Sequence, residues 1–174
     1  HSVTKLSNLF FCFTKKNAER ILKLGEEKWR VYNTGHVAVD RYKKTRRIPF
    51  WQIKKDLKLT FSDKRFIVLI QHPVSNWVNS SRKHFKETLK AVDKIEIPTI
   101  IIKSNSDPGS NAMYEVYKKF NFKKNKNIFY FENLEEQLFV NLMKNASLLI
   151  GNSSMGVLES PTLKMPVVNI GLRQ

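Results

Sequence analysis

The sequence predicts an α/β fold in which a parallel sheet is flanked by helices. Two observations predict it. Short apolar runs of strand size recur along the chain, and amphipathic helical stretches alternate with them across short connections. With 41% hydrophobic and 11% aromatic residues, the 174-residue chain has enough apolar surface to bury a core.

Leu9–Thr14 reads as a strand, Asn17–Leu24 as a short helix ended by Gly25, and Arg30–Asn33 as a second strand closed by Gly35. From Val39 to Lys64 the pattern weakens and the charge rises, with Pro49–Leu57 fitting one amphipathic helix. The rhythm then becomes regular. Strand Arg65–Ile70 leads through a loop at His72–Asn76 to a helix over Ser81–Val92, and strand Thr99–Lys103 leads through Ser104–Ser110 to a helix over Asn111–Phe120. Strand Asn127–Phe131 precedes a helix over Leu134–Asn145, and strand Leu148–Ile150 precedes a Gly/Ser turn and a helix over Gly156–Leu163. Val167–Ile170 is the last strand. The expected organisation is the end of one Rossmann-like domain over residues 1–45, a connection over 46–64, and an incomplete nucleotide-binding Rossmann-like domain over 65–174. Both ends read as cut, because the chain opens on His1 and stops directly after a strand.

The charge is strongly basic, with 31 Lys and Arg against 15 Asp and Glu and a net of +16. Such a balance raises nucleic-acid binding, yet the lysines are scattered over every helix and loop and no RNA-binding signature is present. An anionic small ligand such as a nucleotide diphosphate satisfies the same bias, so no nucleic-acid partner is expected. No apolar run approaches the roughly 18 residues of a membrane-spanning helix, so no membrane partner is expected either. The single cysteine, Cys12, lies in an apolar run and reads as a buried structural thiol, which fits a cytoplasmic protein. No metal-ligand spacing, Walker loop or G-x-G-x-x-G occurs, and neither a metal nor a cofactor is expected.

In parallel sheets ligands collect at the loops leaving the carboxyl ends of strands. The most informative is Gly151-Asn152-Ser153-Ser154-Met155-Gly156-Val157-Leu158-Glu159-Ser160-Pro161, where a strand ends and a helix begins. Helix N-terminal N–H groups and the hydroxyls of Ser153 and Ser154 suit a phosphate, Gly156 permits close backbone approach, and Glu159 can accept both hydroxyls of a ribose. The same residues read equally as a serine N-cap with an early Glu. His72, directly after a strand, can donate to a phosphate or move a proton, or simply pack beside Pro73. The loop Asn105, Asp107-Pro108-Gly109-Ser110 consists of ordinary turn formers. His84 reads as solvent-facing.

Taken together, the Gly151–Pro161 stretch, the ending Asn169-Ile170-Gly171-Leu172-Arg173-Gln174, the Gln71-His72-Pro73-Val74 loop and the opening His1-Ser2-Val3-Thr4-Lys5-Leu6-Ser7 resemble the hydrolysing UDP-N-acetylglucosamine 2-epimerases of sialic- and legionaminic-acid pathways. The resemblance covers nearly the whole chain and implies the two-domain GT-B fold, with this chain supplying mostly its C-terminal domain. The loop Asn105…Asp107-Pro108-Gly109-Ser110 matches the family in order and spacing as well, and the resemblance implies that Ser153 and Ser154 bind the diphosphate, Glu159 the ribose, and that His72, Asn105 and Arg173 complete the phosphate and sugar contacts, with Asp107 in that matching loop. Uracil would lie near Phe131 and Leu134. The implied chemistry removes the C2 proton and expels UDP to give a 2-acetamidoglucal, to which water adds to yield N-acetylmannosamine. The acidic residues for proton transfer would lie upstream of His1, so this chain alone is expected to be inactive in UDP release. A homo-oligomer is implied by the family alone. Alternatives are a non-hydrolysing 2-epimerase, whose turn usually reads Asp-Ser-Gly-Gly, a related epimerase for diacetamido or GDP-linked sugars, a GT-B glycosyltransferase, and an RNA-binding domain.

Overall fold

The computed structural model describes residues 1–74, 80–104 and 106–174. They form two compact units, His1–Lys44 and Thr45–Gln174.

The first unit holds helix α1 (Ser2–Leu6), strand β1 (Phe10–Cys12), helix α2 (Lys15–Lys23), a 3-10 turn at Lys28–Arg30, strand β2 (Val31–Asn33) and helix α3 (Val37–Lys44). The two strands are parallel, with Phe10 opposite Val31. Thr14 starts α2 by accepting the Asn17 N–H at 3.1 Å on its hydroxyl, and Cys12 is buried as expected. Glu26 ties the unit together by accepting from Lys5 at 2.8 Å and Arg30 at 2.9 Å. The sequence pattern missed α1 and α3. Helix α1 buries no residue, and α3 buries only Ala38 and Tyr42, one turn apart among charges, so neither carries a readable apolar stripe.

The second unit holds α4 (Phe50–Asp56), β3 (Ile67–Ile70), α5 (Ser81–Ile95), β4 (Thr99–Ile102), α6 (Ser110–Lys119), β5 (Ile128–Phe131), α7 (Glu136–Asn145), β6 (Leu148–Gly151), α8 (Met155–Leu158), α9 (Ser160–Leu163) and β7 (Val167–Asn169). Its five strands are all parallel in the order β5-β4-β3-β6-β7. Strand β3 is the middle of the sheet, which is why Ile67-Val68-Leu69-Ile70 is apolar on both faces and wholly buried. On one face Ile67, Leu69 and Ile101 pack against Phe85, Leu89 and Val92 of α5 and Met113 of α6. On the other, Phe66 stacks on Phe50 with ring centres 5.2 Å apart, and Phe61 lies 5.9 Å from Phe66.

The stretch 46–64, expected as a connection, is sewn into this second unit. Fully buried Asn141 of α7 accepts the Ile48 N–H at 3.1 Å and donates to the Arg46 carbonyl at 2.9 Å. The single helix expected over Gly156–Leu163 is instead two short ones. Pro161 has no N–H to give to Val157, and the chain breaks at Glu159 (φ −112°, ψ −32°) before restarting as α9.

Asp93, near the end of α5, accepts the backbone N–H groups of Lys124 and Asn125 at 2.9 Å each and of Lys123 at 3.3 Å. Burial pulls its carboxyl pKa upward, but the N–H groups of Asn125, Lys124 and Lys123, with Lys126 nearby, outweigh this and hold it below the ordinary 3.8. A depressed carboxylate stabilises the fold above its unfolded pKa, and that contribution is lost as pH falls through the folded value. Asp93→Ala is therefore expected to lower the melting temperature at pH 7, with the gap from wild type closing at strongly acid pH. Paired thermal melts across pH check this.

Candidate functional site

Strand β6 runs into its loop through Gly151, whose φ of +142° belongs to glycine, and a Cβ placed there would lie 1.8 Å from the Ile70 carbonyl oxygen. The backbone of β6 is thus pressed against the end of β3. Asn152 follows and is 2% exposed. Its N–H donates to the Ile70 carbonyl at 3.2 Å, its Oδ1 accepts the His72 N–H at 2.6 Å, and its Nδ2 donates to the His72 carbonyl at 2.9 Å. The Asn152 carbonyl in turn accepts from Arg173 Nη1 at 2.9 Å and Gln174 Nε2 at 3.4 Å. One asparagine therefore clamps the loops that leave β3, β6 and β7. The loop after β4 joins through Asp107, whose Oδ2 lies 3.9 Å from Arg173 Nη2. Asp107 is itself placed by its carbonyl, which accepts from the Ser110 hydroxyl at 2.7 Å.

His72, Arg173 and the start of the Ser153 turn are therefore linked through hydrogen bonds to Asn152 at the carboxyl end of one sheet, and Asp107 joins them through its longer ion pair with Arg173. Asn105 lies outside the described residues, as do positions 75–76 of the His72 loop. Asn152 is the organising residue that sequence reasoning left without a role. An asparagine in a small-residue turn looks ordinary, and only its burial against a loop 80 residues earlier shows that it joins the two loops.

The turn itself is shorter than a phosphate-binding helix would be. Ser153 Oγ lies 3.4 Å from the Met155 N–H, and the N–H groups of Gly156 and Val157 return to the carbonyls of Ser153 and Ser154 at 3.0 Å. Helix α8 has four residues, so little macrodipole accumulates at its start. Gly156 serves packing. A Cβ there would meet Val167 Cγ1 at 2.9 Å, so its smallness lets α8 sit on β7. Glu159 stands half-buried at the α8–α9 junction.

Two cavities open at this end of the sheet. One of 430 Å³ is lined by Gln71, His72, Asn152 and Leu172 among others, and one of 840 Å³ by Lys103, Ser104, Asp107, Glu132 and Asn133. Lys103 pairs with Glu132 at 3.0 Å and lies over the Tyr114 ring, 5.2 Å from its centre. Tyr130, stacked on Tyr117 at 4.2 Å, has its phenol pKa pushed well above the ordinary value by burial, helped by the Glu132 carboxylate. It stays a neutral aromatic wall. Among the described residues no group of three His, Cys, Asp or Glu side chains could hold a metal ion, and no helix is long and apolar enough to cross a membrane.

Residues 1–174 match, over their whole length, the family model described as UDP-N-acetylglucosamine 2-epimerase. Among curated proteins, the GDP/UDP-N,N'-diacetylbacillosamine 2-epimerase (hydrolyzing) of Campylobacter jejuni is 34% identical, over 100% of this chain and 45% of that protein. The polysialic acid biosynthesis protein P7 of Escherichia coli is 32% identical, over 100% of this chain and 44% of its own length. The chain thus spans about 45% of the relative it matches in Campylobacter. Among solved structures, the UDP-GlcNAc 2-epimerase of Neisseria meningitidis bound to UDP-GlcNAc superposes with a TM-score of 0.73 at 18% identity, covering 95% of this chain and 45% of that one. The expected α/β parallel sheet of GT-B type is the fold observed.

Proposed function

The chain belongs to the UDP-N-acetylglucosamine 2-epimerase family, and from that premise we propose that it forms the nucleotide-binding part of a hydrolysing 2-epimerase acting on a UDP-linked 2-acetamido sugar. The observation that carries this reading is the Asn152 clamp, which gathers His72, Ser153, Asp107 and Arg173 around one rim.

In the proposed reaction the C2 proton leaves the sugar and the C1–O bond to UDP breaks, giving a 2-acetamidoglucal. Water then adds across that double bond, a proton to C2 and hydroxide to C1, and N-acetylmannosamine results for sialic-acid-type biosynthesis. Charge accumulates on the departing diphosphate, so oriented donors there lower the barrier. Arg173 suits this task. Its Nη1 is fixed on Asn152, while its 3.9 Å approach to Asp107 is too long for a hydrogen bond and can be exchanged for a phosphate oxygen. Ser153 and Ser154 add hydroxyls, Gly156 lets α8 take its place, and Glu159 accepts the ribose hydroxyls. His72 has its main chain held by Asn152 on both sides and lines the 430 Å³ cavity, where an imidazole suits phosphate donation or proton transfer. Asn105 completes the sugar contacts. The similarity to a hydrolyzing enzyme supports release of the sugar over its retention on UDP. To the same proposal belong residues 1–45 as the end of a preceding domain, 46–64 as an interdomain connection that packs on the nucleotide-binding domain of 65–174, assembly as a homo-oligomer and a cytoplasmic setting.

Calorimetric titration with UDP, beside GDP, tests the site. Ser153→Ala and Glu159→Ala should each weaken UDP binding about tenfold, the cost of one lost hydrogen bond to a charged or paired group. Unchanged affinity in both variants would place the nucleotide elsewhere.

A further inference from the structure

Asp107 carries its charge in an unfavourable place for a nucleotide site. It stands on the loop after β4, lines the 840 Å³ cavity and brings a carboxylate to 3.9 Å from Arg173, the cation suited above to the departing diphosphate. An anion held beside an anion site opposes the ligand. The fold does not need this pair to place either partner. Arg173 is held independently, its Nη1 donating to the Asn152 carbonyl at 2.9 Å. Asp107 is held by its own turn, its carbonyl accepting from the Ser110 N–H at 3.1 Å and from the Ser110 hydroxyl at 2.7 Å. Nor does the pair add much stability, because the side chains of Asp107 and Arg173 are 38% and 27% exposed and their separation is past hydrogen-bond reach. The consequence of this carboxylate falls on the ligand instead.

We propose that Asp107 is a counter-charge that limits how tightly the site holds a diphosphate, and so sets how fast the diphosphate product leaves. Arg173 can pair with the carboxylate or with a phosphate oxygen. Once a phosphate takes the guanidinium, the Asp107 carboxylate stays alongside and repels it. As the phosphate moves off, Asp107 takes Arg173 back, so departure leaves no unpaired cation behind. Product release limits turnover in many enzymes, and weaker product binding is a gain there. The proposal rests on the nucleotide-site reading above and assigns Asp107 to release rather than to ligand contact.

Calorimetry and stopped-flow dissociation of UDP compare wild type, Asp107→Asn and Asp107→Ala at low and at high salt. Both variants should bind UDP about tenfold more tightly, chiefly through slower dissociation, and the gain should shrink as salt screens the repulsion. An aspartate that merely supports its loop predicts the opposite, an affinity that is weaker or unchanged. Weaker or unchanged UDP binding in both variants would overturn the proposal, as would a gain that salt leaves untouched or unfolding of both. Failure of the wild type to bind UDP would instead sink the nucleotide-site reading and this proposal with it.

Discussion

Gly151→Ala is expected to be the most damaging single methyl added to this chain. The new Cβ would lie 1.8 Å from the Ile70 oxygen and 2.6 Å from its carbon, so β6 and β3 would have to separate at the point where both feed the site. Their pairing runs from Ile67 opposite Leu148 to Ile70 opposite Gly151, and no side-chain rotation relieves a backbone clash. A loss above about 4 kcal/mol is expected, a large share of the roughly 5–15 kcal/mol that a domain has in total. Gly25→Ala is the control. That glycine also has a positive φ, +86°, but a Cβ there meets nothing within 4 Å, so only conformational strain of about 1 kcal/mol applies. Urea denaturation followed by circular dichroism distinguishes the two. A Gly151→Ala protein as stable as the Gly25→Ala protein would mean that β6 does not lie against β3 in this way.

Asn152→Ala is expected to couple stability and binding in one change. It removes the acceptor of the His72 N–H and the donor to the His72 carbonyl, both in a region that is largely buried. Unpairing those groups should cost about 2–3 kcal/mol of stability. The His72 loop then loses its fixed position, and UDP affinity should fall tenfold or more although Asn152 need not touch the nucleotide. This separates it from Ser153→Ala, which should weaken UDP binding with the melting temperature unchanged. An Asn152→Ala variant that melts normally and binds UDP normally would show that the clamp does not position the site.

Much of this protein was legible in its sequence because parallel strands announce themselves. Runs such as Ile67–Ile70 and Thr99–Ile102 are buried on both faces, so they are apolar throughout and stand out from the amphipathic helices beside them. The carboxyl-end rule then points to His72, the Asp107 loop and the Ser153 turn before any coordinates are known, whereas the strand order β5-β4-β3-β6-β7, with β6 placed beside β3, came only with the structure. Elements with little to bury, α1 and α3, left no such trace.

The sequence by itself therefore determined the fold class and the family, and it singled out the loops proposed as the site, because each follows from local pattern or motif. Only the tertiary structure decided how those loops are joined. The roles of Asn152 and Gly151 depend on the end of β6 meeting the end of β3, partners some 80 residues apart in the chain. Hydrogen bonds and steric contacts of that reach leave no periodicity, since they are fixed by where the sheet brings two backbones together.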